Sequence, residues 1–337
     1  MSILSETKSL FNTAFPRLAG GKYINFIMLR HTQSFPVFQT DGVLNTVRTQ
    51  AGITNTEKIS RLVQFKRKQT TPERLIGRES LRALNITSAD KEATNYCEYN
   101  GDKSCKQCPD CIIYGFAIGD SGSERSKVYS DSAFSLTPYD ENSRRSFTFN
   151  APFEGGTMSE AGQMRSAINQ LDHILPEVTF PTVETLKDVT QEAFIYVLGN
   201  LLRTKRYGAQ ESRTGTVKNH LLGIVFCDGE IFSNLEFTQA LYDALKAKDM
   251  LHSNISDIKI ESAQVINNLL AKELVIKHKV ILGSELATLL SEVTAIYQDP
   301  QALQNTLNTL NEQTKAYSQT YGANVGKTQK NKTKKQK

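Results

Sequence analysis

The sequence predicts an α+β fold, a sheet with helices packed on one face, and three stretches carry that expectation. KYINFIMLR (22–30), preceded by Gly20 and Gly21, is short, apolar and partly β-branched or aromatic, as a buried strand is. VKNHLLGIVF (217–226) is a second such run, closed by the turn-like pair Asp228-Gly229. Between them, over 184–203, Val189, Ala193, Val197 and Leu201 recur at helical spacing, flanked by Phe194, Leu198 and Leu202.

The remaining elements follow in chain order. From 33 to 180, Gly, Pro, Asn and Ser interrupt every candidate element, leaving a short helix at 72–84 and strands at 127–136 and 146–150. Insertions decorating a smaller core give this pattern, so the core is placed at 20–229. Residues 230–321 read as helical, with amphipathic faces at Leu286, Leu289, Leu290, Val293 and Ile296 and again at Leu303, Leu307 and Leu310. Residues 322–337 read as a disordered basic tail.

A chain of 337 residues with 39% apolar and 22% charged residues is long enough to bury a large core and is not fibrous. The N-terminus lacks a basic start followed by a sustained apolar run, and the longest apolar runs fall short of the ~20 residues of a membrane span. A cytoplasmic protein with no membrane partner is expected. The net charge of +5 is misleading, because six lysines sit between Lys327 and Lys337 and residues 1–326 sum to −1. Charge is clustered instead: eight Lys/Arg face two Glu over 58–82, five face Glu211 over 203–218, and twelve Asp/Glu outnumber seven Lys over 228–326. Such polarisation suits a polyanion on one side and protein neighbours on another; solvated basic faces are the plain alternative.

Cys97, Cys105, Cys108 and Cys111 form C-x7-C-x2-C-x2-C, and the two-residue gaps let neighbouring thiolates reach one ion from a tight turn. Four sulfurs suit structural, tetrahedral zinc that stabilises an insertion lacking its own core, here 95–115. An iron–sulfur cluster is the alternative. Cys227, in an apolar strand, reads as a packed core residue.

Lys66, Arg67 and Lys68 precede a helix that presents Arg74, Arg78 and Arg82 at i, i+4 and i+8, three guanidiniums along one face suited to phosphate oxygens. Pairing with Glu73 and Glu79 is the competing reading. The stretch Arg203, Lys205, Arg206, Tyr207-Gly208 through Ser212, Arg213 and Gly215 combines charge, hydroxyl and small residues, as a phosphate-cradling loop does. Around the Gly155-Gly156 hinge, Phe153, Met158, Met164 and Arg165 suggest a hairpin with apolar tips that wedges between bases or packs on a neighbouring subunit. The five histidines are scattered, and no nucleophile-elbow, P-loop or metalloprotease pattern occurs, so no catalytic residue is assigned. Asp41, in QTDGV, is a lone acid placed to lie beside a phosphodiester.

In order, the first strand, RLIGRESLRAL, CPDCIIYGFAIGDSGSERSKVYSDSA and YGAQESRTGTV before the last core strand resemble the RAMP superfamily of CRISPR-associated proteins, most closely the backbone subunit of the type I-D Cascade-like effector complex. The resemblance implies an RRM-like (ferredoxin-like) core, a zinc-bearing lid, a thumb over about 137–180, and copies stacked head to tail along CRISPR RNA that present it to target DNA beside other effector subunits. It implies RNA contact for Arg78, Arg82, Ser212 and Arg213, zinc ligation by the four clustered cysteines and a thumb role for 153–165. The usual RNP aromatics are missing, so backbone rather than base contacts are expected. Type III relatives imply a rival function, a metal-dependent ribonuclease that cuts target RNA with Asp41.

Overall fold

A computed structural model describes residues 2–40, 42–101, 103–118, 122–140, 144–148, 170–208 and 212–322. Its central elements, in chain order, are β1 (Tyr23–Thr32), α1 (Lys66–Ala83), β2 (Val128–Ser130), β3 (Thr179–Lys187), α2 (Gln191–Arg203), β4 (Val217–Cys227), α3 (Asn234–Ala247), α4 (Ile255–Lys272), β5 (Lys277–Leu282), α5 (Gly283–Gln298) and α6 (Pro300–Tyr321). The five strands form one sheet in the order β5-β4-β1-β3-β2, every neighbouring pair antiparallel. The fold is α+β, as expected.

Helices cover both faces of the sheet, not one. Ile24, Phe26 and Met28 of β1 pack with Phe194 and Tyr196 of α2 and with Leu289, Val293 and Leu307 of α5 and α6. Ile27 and Leu29, on alternate positions of the same strand, meet Phe237 and Leu241 of α3 and Ile266 and Leu269 of α4. A strand covered on both sides has no polar face, which is why 22–30 is a continuous apolar run. Each fully buried Leu, Ile or Phe contributes about 1.5–3 kcal/mol, so the two layers together fix the sheet more firmly than any of its surface ion pairs.

Several boundaries are corrected: the helix expected at 72–84 is α1, Lys66–Ala83, so Lys66, Arg67 and Lys68 form its first turn and do not precede it. Residues 184–187 extend β3, and the helix begins only after Thr190, whose hydroxyl accepts from the Ala193 N–H at 3.4 Å. The C-terminal part is not wholly helical either: KHKVIL forms β5, the edge strand beside β4. The expected strand at 127–136 is broken into Val128–Ser130 and Ala133–Phe134, and that at 146–150 is Arg144–Thr148, paired with Gln170–Ile174. The first core strand and Val217–Cys227 stand where the sequence places them, within two residues.

Helices α1 and α2 cross at Gly77. A Cβ there would lie 2.3 Å from both the Tyr196 hydroxyl oxygen and Asn200 Nδ2, so only glycine permits this approach. The glycine of RLIGRESL thus serves helix packing. Phe153, Met158, Met164 and Arg165 of the expected thumb, Asp41 and the basic tail lie outside the described residues.

Candidate nucleic-acid interface and metal centre

The cysteine loop folds against α1. Cys108 precedes a short helix, Pro109–Ile113, that carries Cys111 one turn on, while Cys97 and Cys105 approach from the preceding loop. The four sulfurs lie within 4.8 Å of one another, with Cys97 3.8 Å from Cys108 and 3.5 Å from Cys111, and Cys105 3.9 Å from Cys111. A tetrahedron of sulfurs about 2.3 Å from one ion has edges of about 3.8 Å, so the set can hold a metal ion. The Cys105 and Cys108 N–H groups donate to Cys97 Sγ (3.4 Å) and Cys105 Sγ (3.3 Å), which favours thiolate. Hydrogen bonds from the thiols of Cys105, Cys108 and Cys111 push the Cys97 pKa far below the ordinary thiol range.

The arginine stripe does not face outward as expected. Arg78 is buried, bonding Asp110, the Cys97 carbonyl (2.6 Å) and Cys97 Sγ (3.6 Å). Arg74 grips the same carboxylate bidentately, at 2.8 and 2.9 Å, and donates to the Gly115 carbonyl at 2.8 Å. Neither the phosphate reading nor the competing pairing with Glu73 and Glu79 describes these two side chains; they fasten the cysteine loop to α1. Asp110, fully buried between Cys108 and Cys111, escaped the sequence reading although it sits inside C-P-D-C. Burial alone lowers the Arg78 pKa, but Asp110 and Cys97 outweigh it and hold it above the ordinary guanidinium value. Arg82 is half-buried, at the last turn of the helix.

Other cations remain outside. Lys66 and Arg67 are exposed at the start of α1 and form no ion pair among the described residues, while Lys68 is half-buried and its ammonium is disfavoured by burial and by Arg67. At the end of β1 and the start of β4, His31 and His220 stand with ring centroids 6.2 Å apart. Burial, then the charges of Lys259, Lys218, His31 and Lys205, lowers the His220 pKa to about 4, so the ring is neutral at pH 7 amid lysines. Its Nε2 is buried and has no hydrogen-bond partner among the described residues. Lys205, Lys218 and Lys259 are exposed and lack ion-pair partners among the described residues. Lys259 was missed by sequence because it belongs to an acidic region, while Lys218 was counted in the basic stretch 203–218 but not singled out as a contact residue.

Residues 204–208 and 212–215 are built into this end of the sheet. Thr214 is buried, donating to the Tyr207 carbonyl (2.8 Å) and accepting from the Val37 N–H (3.0 Å), and Arg206 bonds the Thr214 carbonyl. Ser212 and Arg213 are exposed beyond it. Arg203 is turned away, bonding Ser80 Oγ and lying over Tyr297. Tyr207 ties the loop to the interior: its hydroxyl donates to Glu73 (2.8 Å) and accepts from Asn219 (2.7 Å). Glu73 in turn meets Arg30 at 2.7 Å, and Arg30 meets Glu184 at 3.2 Å, all three side chains fully buried.

The family model described as Csc2 Crispr matches residues 10–307 of the chain. No match is found among curated proteins. The crystal structure of Thermofilum pendens Csc2 is similar in fold, with a TM-score of 0.60 at 12% identity over 94% of this chain and 96% of that one. Chains of a CRISPR RNA-guided surveillance complex, pre-nicking (TM-score 0.47, 13% identity, 81% of this chain, 99% of that one) and of a CRISPR RNA-guided surveillance complex (0.44, 14%, 76% and 87%) are more distant.

Proposed function

The chain belongs to the Csc2 CRISPR family, and from that premise we propose that it is a backbone subunit of a type I-D Cascade-like complex that holds CRISPR RNA without regard to sequence. The observation that carries this reading is the family match over residues 10–307. The geometry supports it. Lys205, Lys218 and Lys259, which form no ion pair among the described residues, act together on His220 beside His31, where phosphate oxygens of a single strand supply negative charge. The order strand, helix, strand, strand, helix, strand, from β1 through α1, β2, β3 and α2 to β4, fits an RRM-like (ferredoxin-like) core. In this reading the layer of α3 and α4 replaces the open base-reading face of an RRM, so the protein grips sugar and phosphate and leaves base edges free for target DNA. Copies of the chain then repeat that grip along the guide, beside other subunits in the cytoplasm. Among the described residues no helix is long and apolar enough to cross a membrane.

Zinc is the metal proposed for Cys97, Cys105, Cys108 and Cys111. Sulfurs 3.5–3.9 Å apart fit around one ion and stand too close to surround a multi-iron cluster. With four protein sulfurs the ion supplies cross-linking of the loop and no open position for chemistry. The chain is proposed to be non-catalytic.

Electrophoretic mobility of the purified full chain with several unrelated single-stranded RNAs of guide length tests the function. Similar retention of all of them is expected, weakening steeply with salt. Preference for one sequence, or no retention in dilute buffer, overturns it. Incubating the assembled complex with complementary RNA and magnesium, with Asp41→Ala alongside, is expected to give no Asp41-dependent cleavage.

A further inference from the structure

Where the exposed start of α1 meets the cysteine loop, a groove of about 340 Å3 opens, with Lys66, Arg67 and Arg74 of the helix and the rings of Tyr99 and Tyr114 in its lining. Thr70, Thr71 and Ser126 also line it, their hydroxyls bonded to the Lys66 carbonyl, the Tyr99 hydroxyl and the Val128 backbone. The volume is at the small end of ligand-sized sites, about 300–1,000 Å3. We infer that this groove takes one nucleotide unit of single-stranded RNA, phosphate toward Lys66 and Arg67 and base against Tyr99, and that the metal-bound cysteine loop is what holds the aromatic wall in place.

The inference rests on the RNA-binding reading and adds the subsite and its support. Tyr99 belongs to the loop between Cys97 and Cys105 and cannot be placed by the sheet. Two contacts place it: its hydroxyl lies 3.3 Å from Thr71 Oγ1, and the Arg74 guanidinium carbon sits 4.5 Å from its ring centroid. Arg74 is itself immobilised by Asp110, which stands between two of the metal-binding cysteines. The path from sulfur to aromatic wall is therefore Cys108 or Cys111, Asp110, Arg74, Tyr99. Arg74 gives its Nε and Nη2 donors to Asp110 and Gly115, and in this groove it acts on Tyr99 as a positioning residue. The phosphate end has the opposite character. Lys66 and Arg67 form no ion pair among the described residues, and Arg67 already disfavours the neighbouring Lys68 ammonium, so an anion relieves a repulsion the fold leaves standing. An aromatic wall with hydroxyls and flanking cations accepts any base, because every base has a face to stack and every ribonucleotide a 2′-hydroxyl.

The test uses full-length, metal-loaded protein and fluorescein-labelled single-stranded RNA containing 4-thiouridine, with metal content and circular dichroism checked for each variant. Tyr99→Ala is expected to weaken binding by about 5- to 150-fold, the equivalent of about 1–3 kcal/mol of stacking. Tyr99→Phe keeps the ring and its contact with Arg74, loses the Thr71 contact, and should bind closer to wild type than to Tyr99→Ala, a rescue that a role for the hydroxyl alone would not allow. Irradiation should cross-link the RNA to the peptide around Tyr99 in wild type, and chelation of the metal should abolish that cross-link. Unchanged affinity in Tyr99→Ala, with weakening in the Lys66→Ala, Arg67→Ala double variant, overturns the groove and leaves the RNA-binding reading standing. Wild type that retains no RNA overturns that reading itself. A cross-link that survives chelation overturns the role of the metal-bound loop. Should Tyr99→Ala lose its metal or its fold, the wild-type cross-link decides, and its absence from the Tyr99 peptide overturns the subsite.

Discussion

Arg30 faces two carboxylates in the interior, Glu73 and Glu184, and one cation cannot neutralise both. Burial, then the charge of Glu73, holds the Glu184 pKa well above the ordinary carboxyl range, so the folded state favours a proton on Glu184. A carboxyl whose pKa is higher in the folded than in the unfolded chain contributes stability below its unfolded value, and loses it as pH climbs toward the folded value. Glu184→Gln carries no proton to lose. Its melting temperature is therefore expected to match wild type near pH 4 and to exceed it by several degrees at pH 8, as followed by circular dichroism; equal melting at pH 8 contradicts the assignment. None of this was legible in sequence, because Arg30 lies 43 and 154 positions from its partners. The cysteines were legible for the opposite reason, since their spacing is local and their chemistry narrow. The arginines of α1 lie between these cases. Their helical phase was readable, but whether that face met phosphate or Asp110 depended on where a loop thirty residues later came to rest.

At the level of elements, the cysteine loop and α1 form one unit joined through Asp110. Asp110→Asn removes the carboxylate that Arg78 and Arg74 share, and removing one partner of a buried pair costs about 3–5 kcal/mol. Denaturant unfolding should show a loss of that size, together with faster transfer of the metal to a chromogenic chelator; metal release at the wild-type rate would separate the two features. The strands Tyr23–Thr32 and Val217–Cys227 announced themselves by unbroken apolar runs. Strand β5 did not, because in KHKVIL only Ile281 is buried and the leucines of the following helix dominate the pattern. The start of α2 was misplaced for a related reason: β3 is buried on nearly every residue, so its periodicity does not separate strand from helix.

Across the whole molecule, positive charge follows position more than composition. Lys205 and Lys218 come from the loop and strand at one end of the sheet, and Lys259 joins them from α4, inside a region whose sum is acidic. If these lysines hold phosphates, each of Lys218→Ala and Lys259→Ala should reduce the slope of log affinity against log salt by about 0.7 while leaving sequence tolerance unchanged. A slope that stays put removes the residue from the interface. The regional charge counts pointed to the basic segments yet concealed Lys259, because summing along a chain averages over residues that the fold separates. The crossing at Gly77 has a mechanical consequence for this layout. A helix keyed to its neighbour at a notch with no room for a Cβ resists rolling and sliding, which favours a fixed distance between its exposed tip and the sheet. Such a part works as a gauge block: set end to end, identical blocks would measure out a flexible strand in equal steps.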